Sequence, residues 1–422
     1  AARLQALAAP GTVGISEGTY RLVAGYFDCE SLGTHTVKGK SVPVEVFRPL
    51  RRRAHRSRLA AASEAGLSTF VGRDAALAAL LSAWEEARAG RGRVVTVVGE
   101  AGIGKSRLLW ELRNRVEAQG GKWVEGTCVP YGQSTPYLPV TDIVRILLGL
   151  ADADPEYQMD KKLTERLGVL GLDADLIGAT LRFFLSVGPA EGALAALSPQ
   201  ERKERLLDAL TQLSEAAARE VPHVFALENC QWLDTASAEF LTFAATAIPT
   251  WRALVVLPHR PGTMLPLALS PITTRIVLRP LEGPERQALA RAVLGDAPVR
   301  PELLSAVVEK TGGNPLFIEE VCRSLRETGG SKGAEALKIP PTILDVLAAR
   351  IDRLPDLAKS ALQMASVIGR DFTQRLLARV ADRGEGIPTA LQKLLELELI
   401  IEKSLDEAAY MFRQALVQEV AY

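Results

Sequence analysis

Residues 99–106 constrain the fold of this chain more than any other segment. They read Gly-Glu-Ala-Gly-Ile-Gly-Lys-Ser and stand between two apolar stretches. The β-branched residues of 93–98 predict a buried strand, and the apolar residues at helical spacing in 106–116 predict a helix. Glycines in such a turn let backbone N–H groups face inward around an anion, which the N-terminus of the following helix also attracts. The segment therefore predicts a phosphate-binding loop in an α/β sheet.

This loop satisfies the Walker A pattern in full, including its Lys-Ser pair. A structural glycine turn does not need that pair, so we favour a nucleotide site. Lys105 brings a full positive charge toward the β- and γ-phosphates, and the Ser106 hydroxyl completes the coordination of a magnesium ion. We therefore expect ATP and Mg2+ as cofactors. The predicted cofactor-binding residues of the loop are Gly99, Glu100, Ala101, Gly102, Ile103, Gly104, Lys105 and Ser106.

A second apolar run, residues 223–227, ends in a carboxylate at Glu228. Glu228 is the predicted catalytic acid and magnesium ligand, through water, because Mg2+ prefers oxygen ligands. Two adjacent acidic residues are usual at this place, but the next residue is Asn229, which cannot take a proton as a general base. We therefore expect slow or absent ATP hydrolysis. Asp234 has two interpretations, a substitute base or the N-cap of a helix.

A third predicted strand, residues 253–257, is followed by His259 and Arg260. The Arg260 guanidinium is expected where the γ-phosphate lies, since arginine recognises phosphate through charge-assisted hydrogen bonds. We favour this sensor role, which we count among the catalytic functions, over a surface ion pair. His259 is expected to be structural.

Strands and helices alternate from residue 75 to residue 278. Further strands are predicted at 122–128, 224–227 and 274–278, and helical stretches at 75–88, 138–150 and 161–220. This alternation predicts a mostly parallel, three-layer α/β fold. From residue 285 the pattern is almost wholly helical, with short strands near 399–402 and 409–412.

The first fifty residues form a separate segment. They predict a helix at the start and short strands at 13–16 and 42–47, which is too little to fold alone. Residues 51–68 carry charge and small residues without a sustained apolar period, and we interpret them as a linker.

The overall charge narrows the choice of partners. Lys plus Arg equals Asp plus Glu, 50 against 50, so no global positive field draws the chain to nucleic acid or to an anionic membrane. The four cysteines lack metal-ligand spacings, so we expect packed, idle thiols in a reducing compartment. No apolar run is long enough for a membrane span, and we expect a cytoplasmic location. We also expect a fragment, because the chain starts without Met and stops directly after an apolar segment.

Six further motifs accompany the loop. They are Phe-Val-Gly-Arg-Asp at 70–74, Tyr-Gly-Gln-Ser-Thr-Pro-Tyr at 131–137, Glu-Asn-Cys-Gln-Trp-Leu-Asp at 228–234, Arg-Pro at 260–261, Gly-Asn-Pro-Leu-Phe at 313–317 and Phe-Arg-Gln-Ala-Leu at 412–416. With the loop, they resemble the STAND-type signal-transduction ATPases, AAA-related P-loop proteins, and specifically those fused behind bacterial class III adenylate/guanylate cyclases. The resemblance implies a P-loop NTPase domain at 69–282, a helical lid at 283–338 and a winged-helix domain at 339–422.

The resemblance also implies roles for single residues. Val71, Gly72 and Arg73 match the segment that lies by the adenine and ribose, and Pro315 matches the motif that begins the lid. Gln414 stands where relatives carry a histidine that reads the phosphates from the winged helix. Gln414 is predicted as a nucleotide contact. Because it replaces the histidine, it puts in doubt whether this chain has the ADP-locked state of its relatives.

Residues 1–50 resemble the end of a class III cyclase domain, an α+β remnant. Arg3 matches the arginine that stabilises the transferring phosphate, a catalytic role, and Lys38 or Lys40 falls where a lysine meets the triphosphate. The metal-binding aspartates of the family lie upstream of this segment, so the chain is not expected to cyclise ATP unaided. Because class III sites form between two cyclase domains, the resemblance implies a homodimer.

The leading prediction is an ATP-binding regulatory module of an adenylate cyclase, controlled by an unknown signalling protein or ligand. One alternative is a STAND-family transcription regulator, and residues 1–50 weigh against it. A second is a DNA-loading AAA+ ATPase. Residues 341–422 contain 10 Lys or Arg and 12 Asp or Glu, a net charge of −2, which is unfavourable for binding phosphate backbones.

Overall fold

The computed structural model describes residues 15–16, 27–35, 44–52, 67–129, 132–133, 135–151, 154–187, 196–268, 270–295, 305, 307, 309–327, 342–381, 386–397, 399–404 and 408–422. The chain divides into two units. We call Val71–Pro280 the first unit, and Ala1–Phe70 together with Leu281–Tyr422 the second unit. The predicted helix at residues 1–8 lies outside the described residues.

A three-stranded antiparallel sheet occupies the N-terminal part of the second unit. Its strands are β1 (Ile15–Ser16), β2 (Phe27–His35) and β3 (Val44–Arg52), in the order β1-β3-β2. The prediction at 13–16 includes all of β1, and the one at 42–47 includes the first four residues of β3, but β2 is not predicted. β3 also runs on to Arg52, so the first two residues of the predicted linker are paired with β2. Cross-strand pairing overrides the charge pattern of those residues.

The first unit is built on five parallel strands. They are β4 (Arg93–Val98), β5 (Lys122–Thr127), β6 (His223–Glu228), β7 (Ala253–His259) and β8 (Thr273–Val277). The order is β5-β6-β7-β4-β8 and every pairing is parallel. The prediction of an α/β fold with a parallel sheet is therefore confirmed. β4 and β7 are buried almost throughout, as expected for strands in the middle of such a sheet.

Among the described residues of the first unit, seven α-helices accompany these strands. They are α1 (Asp74–Arg88), α2 (Lys105–Ala118), α3 (Leu138–Leu147), α4 (Glu156–Leu170), α5 (Leu176–Phe184), α6 (Pro199–Glu220) and α7 (Thr235–Ala244). Buried apolar residues of α3 to α7 form one core with β5, β6 and β7. This burial of apolar surface is the main favourable contribution to the fold of the unit.

The single helical region predicted at 161–220 is wrong in its continuity. The region contains most of α4, all of α5 and all of α6. α4 ends at Gly171, whose φ of 68° is left-handed, and the Asp173 carboxylate accepts hydrogen bonds from the backbone at the start of α5. Ser198 begins α6 with a capping box to Glu201. Local end signals therefore divide the region.

In the C-terminal part of the second unit, the described residues include seven helices and a small antiparallel sheet. The helices are α8 (Gly283–Leu294), α9 (Pro315–Glu327), α10 (Ile343–Asp352), α11 (Asp356–Ile368), α12 (Gln374–Val380), α13 (Ile387–Glu396) and α14 (Ala415–Ala421). The strands are β9 (Asp371–Thr373), β10 (Ile400–Ser404) and β11 (Ala409–Phe412), in the order β10-β11-β9. The two short strands predicted here are both present. Among the described helices, none is long and apolar enough to cross a membrane.

A buried charge cluster joins α9 to the helices that follow it. Glu320 of α9 is only 2% exposed, and its carboxylate accepts hydrogen bonds from Arg350 of α10 at 2.5 Å and from Arg323 at 2.7 Å. Arg350 also donates to the carbonyl oxygen of Leu397, beyond α13. A buried carboxylate needs such partners because it has lost its hydration. The cluster therefore fixes α9 against α10 and α13.

We expect Arg350→Leu to lower the free energy of unfolding by about 3 kcal/mol, because it leaves Glu320 buried with one cation fewer. Urea unfolding followed by circular dichroism measures the change. Arg353→Leu is the matched control, since Arg353 is exposed at the end of the same helix, and its effect should stay within about 0.5 kcal/mol. Equal losses in the two variants would show that the cluster does not stabilise the unit.

Candidate functional site

The carboxyl ends of the parallel strands bring the predicted site residues of the first unit to one edge of the sheet. Val98, the last residue of β4, is in register with His259 of β7, and the next residue, Gly99, donates its backbone N–H to the carbonyl oxygen of His259 at 3.1 Å. Glu228 ends β6, and Arg260 directly follows β7. Parallel sheets bind ligands at this edge.

The backbone of residues 99–106 has a conformation that requires glycine. Gly102 and Gly104 have φ values of 76° and 101°, in the left-handed region. A Cβ atom at Gly99 would lie 2.6 Å from Ile103 Cγ2, so a side chain is excluded there by close packing. Gly104 is followed by the first residue of α2, which places the loop at a helix N-terminus. The loop therefore fits a phosphate group, both in its backbone and in its helix dipole.

Lys105 lies over this loop. Its Nζ atom donates to the carbonyl oxygens of Gly99 at 2.6 Å and Glu100 at 2.9 Å. Burial and, to a smaller extent, the positive charge of Arg260 lower the pKa of Lys105 to about 8, while Glu100 acts in the opposite direction. Two cations therefore share one partly desolvated space, and a bound anion would relieve their repulsion.

Arg73 connects the segment before α1 to the same loop. Its Nη2 atom donates to the carbonyl oxygen of Ile103 at 3.1 Å, and Gly72 has a left-handed φ of 68°. Arg73 and the half-buried Val71 thus lie in the chain that leads directly into α1. This contact positions Arg73 at the phosphate loop itself, whereas the predicted contact with adenine and ribose remains a prediction.

The two residues predicted to hold Mg2+, Ser106 and Glu228, both carry oxygen ligands. Ser106 is exposed in the first turn of α2, and Glu228 is half-buried at the end of β6. Among the described residues, no three His, Cys, Asp or Glu side chains cluster as a self-sufficient metal site. One hydroxyl and one carboxylate suit Mg2+ that takes its other ligands from phosphate and water, as Mg2+ usually does in nucleotide sites.

The residues after Glu228 form a tight turn that leads to Asp234. Asn229 has φ 59° and ψ 45°, in the left-handed region that asparagine tolerates better than most residues. It begins a 3-10 turn, Cys230–Trp232. Asp234 is buried and accepts hydrogen bonds from Ser237 N and Tyr137 N, both at 2.9 Å. Of its two interpretations, the structure therefore selects the N-cap, here of α7.

Trp232 is a site residue that the sequence interpretation overlooks. The Cζ atom of Arg260 lies 5.5 Å from the centroid of the Trp232 ring, within cation–π range. The only sequence signal is an aromatic residue four positions after Glu228, which an ordinary core residue would also produce. His259, predicted to be structural, is buried, and its ring nitrogen pairs with the Arg260 carbonyl oxygen at 2.9 Å. Burial also lowers the pKa of His259.

Two buried thiols lie close to the carboxyl ends of β5 and β6. Cys128 follows β5 and Cys230 follows β6, and each is only 1% exposed. The Cys230 thiol donates to the carbonyl oxygen of Leu227 at 2.8 Å, and burial, together with a contact to Cys128, raises the pKa of Cys230 well above its usual range. Both are free thiols, as is the buried Cys322 of α9. The prediction that the thiols are packed is confirmed for these three.

The remaining predicted contacts belong to the second unit. Pro315 is the first residue of α9, and the Asn314 side chain accepts the backbone N–H of Leu316 at 3.1 Å, which caps the helix. The Gln414 amide donates to Glu320 at 3.4 Å. Nucleotide contacts by Pro315 and Gln414 stay predictions, and Arg3, Lys38 and Lys40 lie outside the described residues.

Comparisons with known proteins identify the central segment. Residues 69–257 match the AAA ATPase domain family, and residues 282–329 match a domain of unknown function. An uncharacterized protein of Rhizobium meliloti (strain 1021) is 30% identical over 442 residues, and the match covers 100% of this chain but only 42% of that protein. The chain therefore spans less than half the length of this curated relative.

Two solved structures are similar over most of the chain. One is a Signal Transduction ATPase with Numerous Domains (STAND) protein with a tetratricopeptide repeat sensor from Pyrococcus horikoshii, with 16% identity, a TM-score of 0.46 and coverage of 84% of this chain and 42% of that one. The other is Drosophila ORC bound to DNA, with 12% identity, a TM-score of 0.41 and coverage of 88% and 95%.

The family match and the loop geometry agree on the central segment. The chain contains a AAA-type P-loop ATPase module, and such a module binds nucleotide, typically with Mg2+.

We expect nucleotide affinity to fall as the pH rises through about 8, the pKa of Lys105. The free protein loses the Lys105 proton above this pH, whereas a bound phosphate favours the charged form, so affinity should fall by roughly tenfold per pH unit once binding must take up one proton. Calorimetric titration with Mg-ATP from pH 7 to pH 9.5, in buffers of different ionisation enthalpy, measures both quantities.

Lys105→Arg is the control for this pH dependence, because a guanidinium keeps its charge throughout this range. Neighbouring His259, whose pKa burial lowers, stays neutral in this range. An equally steep loss of affinity in Lys105→Arg would therefore assign the pH dependence to another group.

Proposed function

We propose that this chain is the ATP-binding regulatory module of a class III adenylate cyclase, organised as in STAND proteins. The observation that carries the proposal is the junction of the Lys105 phosphate loop with Glu228 and Arg260 at one edge of the sheet. The cyclase part is supported by the sequence resemblance of residues 1–50 to the end of a cyclase domain. The intact protein would then make cyclic AMP for intracellular signalling.

ATP would bind through charges and backbone groups already held in place. The N–H groups of the loop and the N-terminus of α2 receive the phosphates, and Lys105 adds a full positive charge. Ser106 and, through water, Glu228 would hold Mg2+, which neutralises charge on the phosphates when it is bound. Arg260 would contact the γ-phosphate and thereby distinguish ATP from ADP.

Slow or absent hydrolysis follows from the chemistry around Glu228. Asn229 occupies the place of a second acid and cannot accept a proton from water. Asp234, the nearby alternative, is buried and engaged as the cap of α7. The site would therefore hold ATP for long periods, which suits a module that reports a nucleotide state.

The second unit would contain the elements whose positions change during this regulation. Residues 283–338 are the proposed lid, which contains the asparagine-proline motif with Pro315, and residues 339–422 are the proposed winged helix. The combination of α10 to α14 with the antiparallel strands β9, β10 and β11 supports the winged-helix assignment. Gln414 would carry the nucleotide contact of this domain, and an unknown ligand or protein would bias its position.

We expect Lys105→Ala to weaken Mg-ATP binding by at least roughly tenfold, because it removes a charge-assisted contact to phosphate. Calorimetry or a fluorescent ATP analogue measures this affinity. Lys122→Ala is the matched control, since Lys122 is exposed at the start of β5, at the other end of a strand from the site. Turnover in the same samples should be very slow. Unchanged affinity in Lys105→Ala would refute the nucleotide site.

The cyclase assignment needs a longer protein. A chain that includes the sequence before Ala1 should carry two metal-binding aspartates there, dimerise and produce cyclic AMP from ATP. Arg3→Ala should abolish that activity, whereas Lys105→Ala should change its rate without abolishing it. Absence of cyclase activity in the unmodified longer protein, with ATP binding intact, would overturn the cyclase assignment and leave the nucleotide site standing.

A further inference from the structure

The contact between Trp232 and Arg260 links two strand ends that carry the proposed nucleotide chemistry. Trp232 follows β6 by four residues, and Arg260 follows β7 directly. The Cζ atom of Arg260 lies 5.5 Å from the centroid of the indole ring, and both residues are half-buried. A cation over an aromatic face is attracted more strongly when both are partly removed from water.

A hydrogen-bonded turn holds the backbone that carries the Trp232 ring. The N–H of Trp232 donates to the carbonyl oxygen of Asn229 at 2.9 Å, and the N–H of Leu233 donates to the carbonyl oxygen of Cys230 at 3.1 Å. These bonds form the 3-10 turn that Asn229 begins in its left-handed conformation. Cys230 within the turn is buried, which anchors it to the core. The point at which the ring is attached is therefore held in place.

Arg260, in contrast, has an electrostatic reason to leave the site when no anion is bound. It lies close enough to Lys105 for their charges to repel, and this repulsion contributes to the lowered pKa of Lys105. A long side chain under such repulsion gains by turning toward solvent. The Trp232 ring offsets this tendency without adding a negative charge that would compete with phosphate.

We propose that Trp232 is a positioning residue, which holds the Arg260 guanidinium at the phosphate edge and so sets how strongly the site prefers ATP to ADP. This inference rests on the proposed function of Arg260 as the group that meets the γ-phosphate. It assigns Trp232 no contact with the nucleotide. Its effect should therefore appear in the ratio of the two affinities, and only through Arg260.

The test compares the dissociation constants of a non-hydrolysable ATP analogue and of ADP, both with Mg2+, across variants of the full chain. Arg260→Ala should lower the preference for the ATP analogue. Trp232→Leu should lower it by roughly three- to tenfold, and Trp232→Phe, which keeps an aromatic face, should retain most of it. The double variant Trp232→Leu/Arg260→Ala should be no worse than Arg260→Ala.

Trp123→Leu serves as the matched control. Trp123 is half-buried near the start of β5, where its indole N–H donates to Glu125, so it tests the general cost of losing a tryptophan. Its replacement should leave the ratio of affinities unchanged. A normal ratio in Trp232→Leu would overturn the inference, whether or not Arg260→Ala alters the ratio. If Arg260→Ala does alter the ratio, the sensor role of Arg260 stands. If Arg260→Ala leaves the ratio unchanged, that role falls as well.

A spectroscopic measurement covers the case in which Trp232→Leu fails to fold. The emission of Trp232, obtained as the difference between the unmodified protein and Trp232→Phe, should shift when Arg260 is replaced by Ala in nucleotide-free protein. An unchanged difference spectrum would overturn the inference. Because this measurement needs no ligand, its result stays separate from a failure of nucleotide binding, which Lys105→Ala tests.

Discussion

The parallel pairing of β4 with β7 is the constraint on which the rest of the site depends. Its register sets Val98 beside His259, so the chain leaves both strands at the same edge. After β4 the chain forms the glycine loop and α2, and after β7 it continues with Arg260. The backbone thereby brings two cationic side chains, Lys105 and Arg260, into one half-buried space before any ligand is present. Because these positive charges are already in place, the site favours binding of an anion, as pre-organised electrostatic sites do.

Much of this first unit is predictable because its signals are local. The sequence predicts β4 with its observed bounds and the other four strands to within two residues, since β-branched apolar runs bounded by turns identify buried strands. The phosphate loop is predictable because its conformation depends on its own glycines. β2 is missed, since Phe-Asp-Cys-Glu-Ser-Leu-Gly-Thr-His lacks apolar alternation and its register shifts near Gly33.

The contacts that complete the site and the second unit are not local, and they could not be predicted. Trp232 meets Arg260 because β6 and β7 are neighbours, and the choice between base and cap for Asp234 depends on Tyr137, nearly a hundred residues away. Glu320 finds Arg350 only when α9 packs on α10. A pattern along one segment carries no information about which distant segment lies beside it.

The buried thiols provide each unit with an internal reporter of opening. Cys128 and Cys230 lie in the core of the first unit and Cys322 in the core of the second, where burial raises the pKa of Cys322 to about 12. An alkylating reagent attacks the thiolate, so each thiol should react only while its surroundings are transiently open. Labelling rates read by mass spectrometry would thus give separate local opening free energies for the two units from one unmodified sample.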